Sequence, residues 1–418
     1  MTGGGHDTSQ HSSAFGMPAP GVSDPPLAGT RVLSVEQYGA GPFASMYLSD
    51  MGAEVIKIES PTTGGDSSRA SGPHFLGQGD SHFFQTFNLG KKSLSLDLRQ
   101  PDGMAVFHRL VKTADAVLNN LRGDQPGKLG LTYDALGPIK ASIVCTHLSG
   151  YGRHGERAKW PAYDYLMQAE AGFMSVTGEP DGPRTRMGLS IVDYLTGITS
   201  AFALTAALVG ALRTGHGRDV DVTLYDVAMH QLTYPATWYL NEGDIIQRRP
   251  RSGHPSVVPC ECYPTADGHI FIMCVLPKFW EKLCSALNLP DLPNDPKFVT
   301  PQDRFDNHAA LTKLLDAALS RQTTTEWMAR LAGQVPVAPV LGLADALDNP
   351  YFAKTDGIQK IDHPARSDFH VLSNPIRLDG ARPKAHPAPA LGANTDDILR
   401  GAGFRDGDIA DLRKRGVV

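Results

Sequence analysis

The sequence is short of the features that would place it in several large classes. It has only five cysteines in 418 residues, Cys145, Cys260, Cys262, Cys274 and Cys284, with no C-x-x-C pair and no even-numbered framework. That excludes a disulfide scaffold, gives no zinc spacing and no metal site, and points to a reducing, cytoplasmic compartment. Positive charge is not in excess: 39 Lys and Arg against 44 Asp and Glu leave a net charge of −5. Nothing therefore draws the chain as a whole to nucleic acid or to an anionic membrane, and an anionic ligand has to be met by a local cluster of donors. An unbroken apolar run of membrane length is also missing. The longest stretch, Leu195 to Leu212, is interrupted by Thr196, Thr199, Ser200 and Thr205, and reads as a buried helix. The first residues lack a basic region followed by an apolar one, so no signal peptide is expected. Rich in Gly, Ser, His and Pro, residues 1–26 predict a disordered tail.

What is present is a globular composition, 41% apolar and 20% charged, in a chain long enough for two domains. From Leu27 the pattern alternates strand and helix. Arg31 to Val35 is a short buried strand, Gly39 to Pro42 a turn, Phe43 to Met51 a helical stretch stopped by Gly52, and Glu54 to Glu59 a second strand. A helix over Pro101 to Thr113, strands at Ala116–Asn119 and Ser142–Leu148, a long helix after Asp193 ending at Gly215, and a strand over Asp219–Leu224 continue it. Repeated βαβ units predict an α/β fold with a parallel, Rossmann-like sheet. Beyond Asp226 the texture changes to an irregular Pro- and Arg-rich stretch, a strand at His269–Met273 and further helices. The expected organisation is a large domain over 27–225, a smaller α+β domain over 226–333, and a segment 334–418 that returns to complete the large domain.

One motif points to a dinucleotide. Gly39-x-Gly41-x-x-Ala44 matches the G-x-G-x-x-[GA] fingerprint between a strand and a helix, with Glu59 at the end of the next strand, where an NAD-dependent oxidoreductase holds its ribose. The same geometry hosts any phosphate-bearing nucleotide, or serves as a tight structural turn. Asp193, next to the long helix, reads from its position alone as either a helix cap or a reactive carboxylate.

Several segments, in order, decide between these. The opening is Leu27-Ala28-Gly29-Thr30-Arg31-Val32-Leu33 with Ala40-Gly41-Pro42, then Gly52 to Glu59 and Gly65-Asp66-x-x-Arg69. Asn88-Leu89-Gly90-Lys91-Lys92-Ser93-Leu94-Ser95-Leu96-Asp97-Leu98 follows, and Asn120-Leu121-Arg122 precedes Lys128-Leu129-Gly130. Then come Ser149-Gly150-Tyr151-Gly152, the Tyr163-Asp164 pair, Gly188 to Asp193 with Gly197, and Ala388-Pro389-Ala390-Leu391-Gly392 with Thr395. Together they resemble the class III CoA-transferase family, which includes formyl-CoA transferase, carnitine CoA-transferase and α-methylacyl-CoA racemase.

The resemblance implies an acyl-CoA:carboxylate CoA-transferase that works through an aspartyl acyl anhydride and an aspartyl-CoA thioester, with Asp193 in the position of the catalytic aspartate. A helix N-terminus there is expected to stabilise its anion. Coenzyme A enters as part of the substrate, with no tightly bound cofactor; the partners are an acyl-CoA donor and a carboxylic acid acceptor. By the same resemblance the coenzyme is expected to contact Tyr38, Gly39 and Ala40; Leu96, Asp97, Leu98 and Arg99; Asn120, Leu121, Arg122 and Lys128; and Ala162, Tyr163 and Asp164. Arg99, Arg122 and Lys128 are the cations suited to phosphate. Where formyl-CoA transferase has an arginine after its second strand, this chain has Ser60. The family forms interlocked homodimers, and one is expected here. Arg248-Arg249-Pro250-Arg251 reads as a solvated loop or as a holder for the second carboxylate of a dicarboxylic acceptor.

The racemase of the family supplies the alternative. It abstracts an α-proton with a His/Asp pair, where this chain has Tyr163 beside Asp164, and its further glutamate is Leu276 here. A neutral phenol is a poor base at pH 7, which favours transfer. The glycine run of formyl-CoA transferase is also replaced, by Ser252 to Pro259, so a different acceptor is expected.

Overall fold

Apolar strands separated by amphipathic helices settle into a parallel sheet because only helices on its faces can bury strands that are apolar on both sides. The computed structural model describes residues 24–418. The expected tail over 1–26 lies almost wholly outside the described residues.

In chain order the framework is β1 (Arg31–Val35), α1 (Ala40–Asp50), β2 (Glu54–Glu59), β3 (Lys92–Ser95), α2 (Pro101–Val111), β4 (Ala116–Asn119), β5 (Val144–Ser149), α3 (Ile191–Thr214) and β6 (Arg218–Thr223). The six strands form one sheet of order β3-β2-β1-β4-β5-β6, with every pairing parallel. The chain lays down β1, moves outward to β2 and β3, then returns to place β4 against the free side of β1. The strand order therefore reverses between β1 and β4, and in an open parallel sheet the crevice at the carboxyl ends of such a pair receives the ligand.

Both faces of the sheet are packed. On one, α2 presents Val106, Phe107, Leu110 and Val111, all at most 2% exposed, to Leu33, Ile56, Leu94 and Val117. Pro101 at its first turn presets the helical φ. Burying a side chain such as Phe107 or Leu110 stabilises the fold by about 1.5–3 kcal/mol. Helices Thr395–Gly401 and Asp406–Lys414 add Ile398, Leu399, Ile409 and Leu412 to the same core. The C-terminal segment thus completes this unit with helices. Its own strands, Ile358–His363 and Arg366–Leu372, pair with each other and not with the six-stranded sheet. On the other face α3 buries Ala201, Leu204, Ala207, Leu208 and Ala211 against Val32, Val55 and Leu118. By length and composition α3 qualifies as a membrane span, but this inner stripe is packed in protein.

Two compact units are present. The first holds the chain through Met167, Leu189–Gln231 and Ala353–Val418; the second holds Gln168–Gly188 and Leu232–Phe352. Compared with the expected bounds of 226 and 333, the second unit begins later, ends later and takes an extra segment. Strand Val337–Pro339 pairs antiparallel with His269–Met273, which carries the residues after 333 into it. The Arg248 guanidinium donates to the carbonyls of Pro183, Pro180 and Gly182 at 2.8, 3.1 and 3.0 Å, which ties in the segment 168–188.

Candidate active site

The loops that leave the carboxyl ends of β1, β4 and β5 converge on one pocket of about 480 Å³. Gln37 to Ala40 follow β1, Asn120 to Arg122 follow β4, and Ser149 and Gly150 close β5; Trp160 to Tyr163, Ser67, Leu224 and Asp193 complete the wall. The two loops at the reversal point are stitched together. The Asn120 side chain accepts the N–H of Gln37 at 2.9 Å and donates to the Gln37 carbonyl at 2.7 Å.

The pocket gathers Asp193 with Tyr38, Gly39, Ala40, Asn120, Leu121, Arg122, Ala162 and Tyr163 of the expected coenzyme contacts. Others do not reach it. Leu96 and Leu98 are 1% and 8% exposed and belong to the hydrophobic core. The Asp97 carboxylate accepts the backbone N–H and the Nε–H of Arg99, both at 3.1 Å. Arg99 in turn extends its guanidinium over Ser60, 3.5 Å from the hydroxyl, and hydrogen-bonds Thr62. A cation therefore stands beside Ser60 although its own side chain carries none. Arg122 and Lys128 share one counter-ion, Asp124, at 2.6 and 2.5 Å. Hydrogen bonds from Arg122 and then Lys128 hold that carboxyl well below the usual range.

Asp193 itself differs from expectation. The helix begins at Ile191, so Asp193 lies inside its first turn and not before it. Asp164 caps that turn instead: its Oδ2 accepts the N–H of Val192 at 2.6 Å and of Asp193 at 3.0 Å. The positive end of α3 is thereby taken up by a neighbour. Burial, and then the charge of Asp164, push the Asp193 carboxyl up to about 7, the reverse of a helix-stabilised anion.

Close packing accounts for two glycines of the motifs. A Cβ on Gly39 would stand 2.5 Å from Asp193 Oδ2. One on Gly197 would meet the Ala40 carbonyl oxygen at 2.9 Å and the Phe43 ring at 3.0 Å, so Gly197 lets α3 lie against α1. The Phe43 and Tyr194 rings, 5.0 Å apart, pack beside that contact. α1 opens at Gly39 without a side-chain cap, so the N–H groups of Ala40 and Gly41 are claimed by no capping side chain, and Ala40 lines the pocket.

The dinucleotide reading fails on Glu59. Its carboxylate is 3% exposed and holds Arg69 at 2.8 and 2.7 Å and Ser93 at 2.6 Å, leaving nothing to bind a ribose. Among the described residues no histidine lines the pocket, so a His/Asp base pair is not assembled there. No group of three or more His, Cys, Asp or Glu side chains is placed to hold a metal among them either. In the second unit Arg251 pairs with Asp316 through two contacts of 2.7 Å, and Arg249 lies over the Phe305 ring at 4.6 Å. With Arg248 committed to carbonyls, the arginine run is mostly structural.

Sequence reasoning missed Ser67 and Trp160 in the wall and the capping role of Asp164. Gly65-Asp66 flagged the first segment and Ala162-Tyr163 the second; the cap joins Asp164 to backbone 28 and 29 residues later, which no local pattern reports.

The model of CoA-transferase family III matches residues 27–395. Succinate–glutarate CoA-transferase of Agrobacterium fabrum is 34% identical over 90% of this chain and 95% of its own. Succinyl-CoA:mesaconate CoA-transferase of Haloarcula hispanica is 33% identical over 90% of this chain and 96% of its own. A CaiB/BaiF family protein from Brucella suis superposes with a TM-score of 0.79 at 32% identity, over 91% of this chain and 100% of that one. With Tyr38, Gly39, Asn120, Arg122, Tyr163 and Asp193 of its motifs set around one pocket at the strand-order reversal, the chain belongs to CoA-transferase family III.

Proposed function

We propose that this acyl-CoA:carboxylate CoA-transferase works by covalent catalysis on Asp193. One Asp193 oxygen attacks the donor thioester carbonyl; the C–S bond breaks, CoA leaves as thiolate, and an aspartyl acyl anhydride remains. The thiolate attacks the aspartyl carbonyl, which expels the donor acid and leaves an aspartyl-CoA thioester. The acceptor carboxylate attacks that thioester, and the returning thiolate takes the new acyl group and frees Asp193. Each step keeps the thioester's energy in a bond, so no nucleotide triphosphate is needed.

The observation that carries this reading is the state of Asp193. It lies in the pocket with no cation or hydrogen-bond donor on its carboxylate among the described residues, and its pKa is near 7. An under-solvated carboxylate of raised basicity is a stronger nucleophile than one in water. The uncapped N–H groups at the start of α1 are suited to the oxyanions formed at each addition. Arg99 beside Ser60, with Arg122 and Lys128, supplies cations for the phosphates of coenzyme A.

For substrates we propose succinyl-CoA as donor and a short dicarboxylic acid as acceptor, supported by the two named relatives. We also propose a homodimer, supported by the exposed apolar stripe Ile198, Phe202, Val209 and Leu212 on the outer face of α3, and a reducing compartment, supported by five free cysteines. The test is incubation with succinyl-CoA and hydroxylamine, followed by peptide mass analysis. A hydroxamate on Asp193, and no transfer in Asp193→Ala, are expected; full transfer in Asp193→Ala ends the covalent reading.

A further inference from the structure

Beneath the Tyr38–Gly39 turn lies a buried ionic cluster that the chemistry above leaves without a task. Lys57, in the middle of β2, has no exposed surface, and its Nζ lies 2.8 Å from Asp66 Oδ2. The same nitrogen donates to the Glu36 carbonyl at 3.0 Å. Lys91, also buried, lies 2.8 Å from Glu36 Oε1 and donates to the Pro42 carbonyl at 3.0 Å. Asp66 Oδ1 accepts the N–H of Tyr38 at 3.1 Å and of Ser68 at 2.8 Å. The loop between β1 and α1 is therefore held from below at Glu36 and Tyr38, and the first turn of α1 at Pro42.

The held conformation is an unfavourable one. Tyr38 has φ 71°, a left-handed backbone that a bulky residue keeps only where its surroundings enforce it. Burying these ions costs several kcal/mol each, and apolar residues of similar volume would pack at least as stably. Apolar residues would not, however, grip an N–H and two carbonyls. Burial opposes both charges, yet Lys57 is held above and Asp66 below its ordinary pKa by the partner ion, so the pair stays charged at neutral pH. On the far side of this loop Gly39 presses on Asp193.

We infer that Asp66, fixed by Lys57, is a positioning residue for the transfer reaction: it locks the Tyr38–Gly39 turn in the left-handed conformation that sets Gly39 against the Asp193 carboxylate and keeps water from it. This rests on Asp193 being the nucleophile. Releasing the turn lets Asp193 shift and rehydrate, so the rate falls and the pKa of Asp193 falls with it. The titratable and charged groups around Asp193 are Asp164 and, on α3, Tyr194, with Tyr38, Tyr163 and Arg122 lining the same pocket; substitution at Asp66 alters the identity of none of them and acts on them only by releasing the Tyr38–Gly39 turn.

The test compares Asp66→Asn with Asp115→Asn in the full chain. Asp115 is also fully buried, pairs with Lys140 at 3.0 Å and accepts the N–H of Arg31 at 2.8 Å, but lies outside the pocket. Both variants are expected to lower Tm. Only Asp66→Asn should lower kcat/KM, by about 10²-fold for a displaced nucleophile, and move the acidic limb of its pH profile down by about one unit as the carboxylate regains water. Tyr38→Pro, at a residue 43% exposed, covers the case in which Asp66→Asn does not fold. It deletes the donated N–H and forbids a positive φ while leaving the buried ions in place, and should shift the same limb. An acidic limb unmoved in the folded variants overturns the positioning role. Full activity in Asp193→Ala overturns that role and the covalent mechanism together; inactive Asp193→Ala with an unmoved limb in Asp66→Asn overturns the positioning role alone.

Discussion

Asp164 accepts the two N–H groups at the mouth of α3, including that of Asp193 itself, and so stands between Asp193 and the positive end of its own helix. The arrangement separates two tasks that one aspartate would otherwise combine. Asp164 satisfies the backbone, and Asp193 is left under-solvated beside a like charge, which keeps its carboxyl basic.

Replacing Asp164 by Asn keeps an oxygen for the helix and removes the charge. The Asp193 pKa should fall below about 7, and the acidic limb of kcat/KM should move to lower pH. Asp164→Ala should in addition cost about 1 kcal/mol of stability through the lost cap, read by urea unfolding. An acidic limb fixed at the wild-type position in Asp164→Asn would count against electrostatic tuning.

Stability should carry the same signature with a definite sign. Asp193 holds its proton to about 7 in the folded chain, against an ordinary value of 3.8. Its contribution is complete below that lower value and is lost as pH rises through the folded one, because the folded state then binds more protons than the unfolded state. Asp193→Asn never ionises, so it should exceed wild type in stability at pH 8 by on the order of 1–3 kcal/mol, with the gap closing toward pH 4. Thermal melts across that range decide it; a gap independent of pH contradicts it.

Gly39→Ala places a methyl 2.5 Å from Asp193 Oδ2. Either the turn or the carboxylate must move, and kcat should drop about 10²-fold while the Tm changes little. Wild-type turnover in this variant would mean that the approach is not needed for chemistry.

Arg99→Ala removes the guanidinium beside Ser60. The KM for acyl-CoA should rise about tenfold, the scale of one charged hydrogen bond, with kcat unchanged. A fall in kcat at constant KM would place Arg99 in the chemical step instead.

The sheet was largely legible. β1, β2 and β4 are short apolar runs bounded by glycine turns or helical periodicity, and their ranges agree with the pattern within a residue. The second unit was less so, because the strand that extends it, Val337–Pro339, has only three residues and pairs across a long sequence gap. The motif singled out Asp193, which lines the pocket, but its electrostatics were read the wrong way round. Burial raises its pKa most, and the charge that adds to it, Asp164, lies 29 residues earlier in the chain. Arg122 and Lys128 were legible as cations; that one aspartate engages both follows from the short helix Gln125–Lys128, which brings Lys128 within one turn of Asp124.

That shared aspartate works as a built-in competitor. Any visiting anion must displace a carboxylate already in contact with both cations. Small monoanions offer no advantage over it, whereas a phosphate ester carries greater charge and more acceptor oxygens. Under the proposed coenzyme contacts, the Arg122–Asp124–Lys128 group would therefore yield to a phosphate more readily than to a single carboxylate.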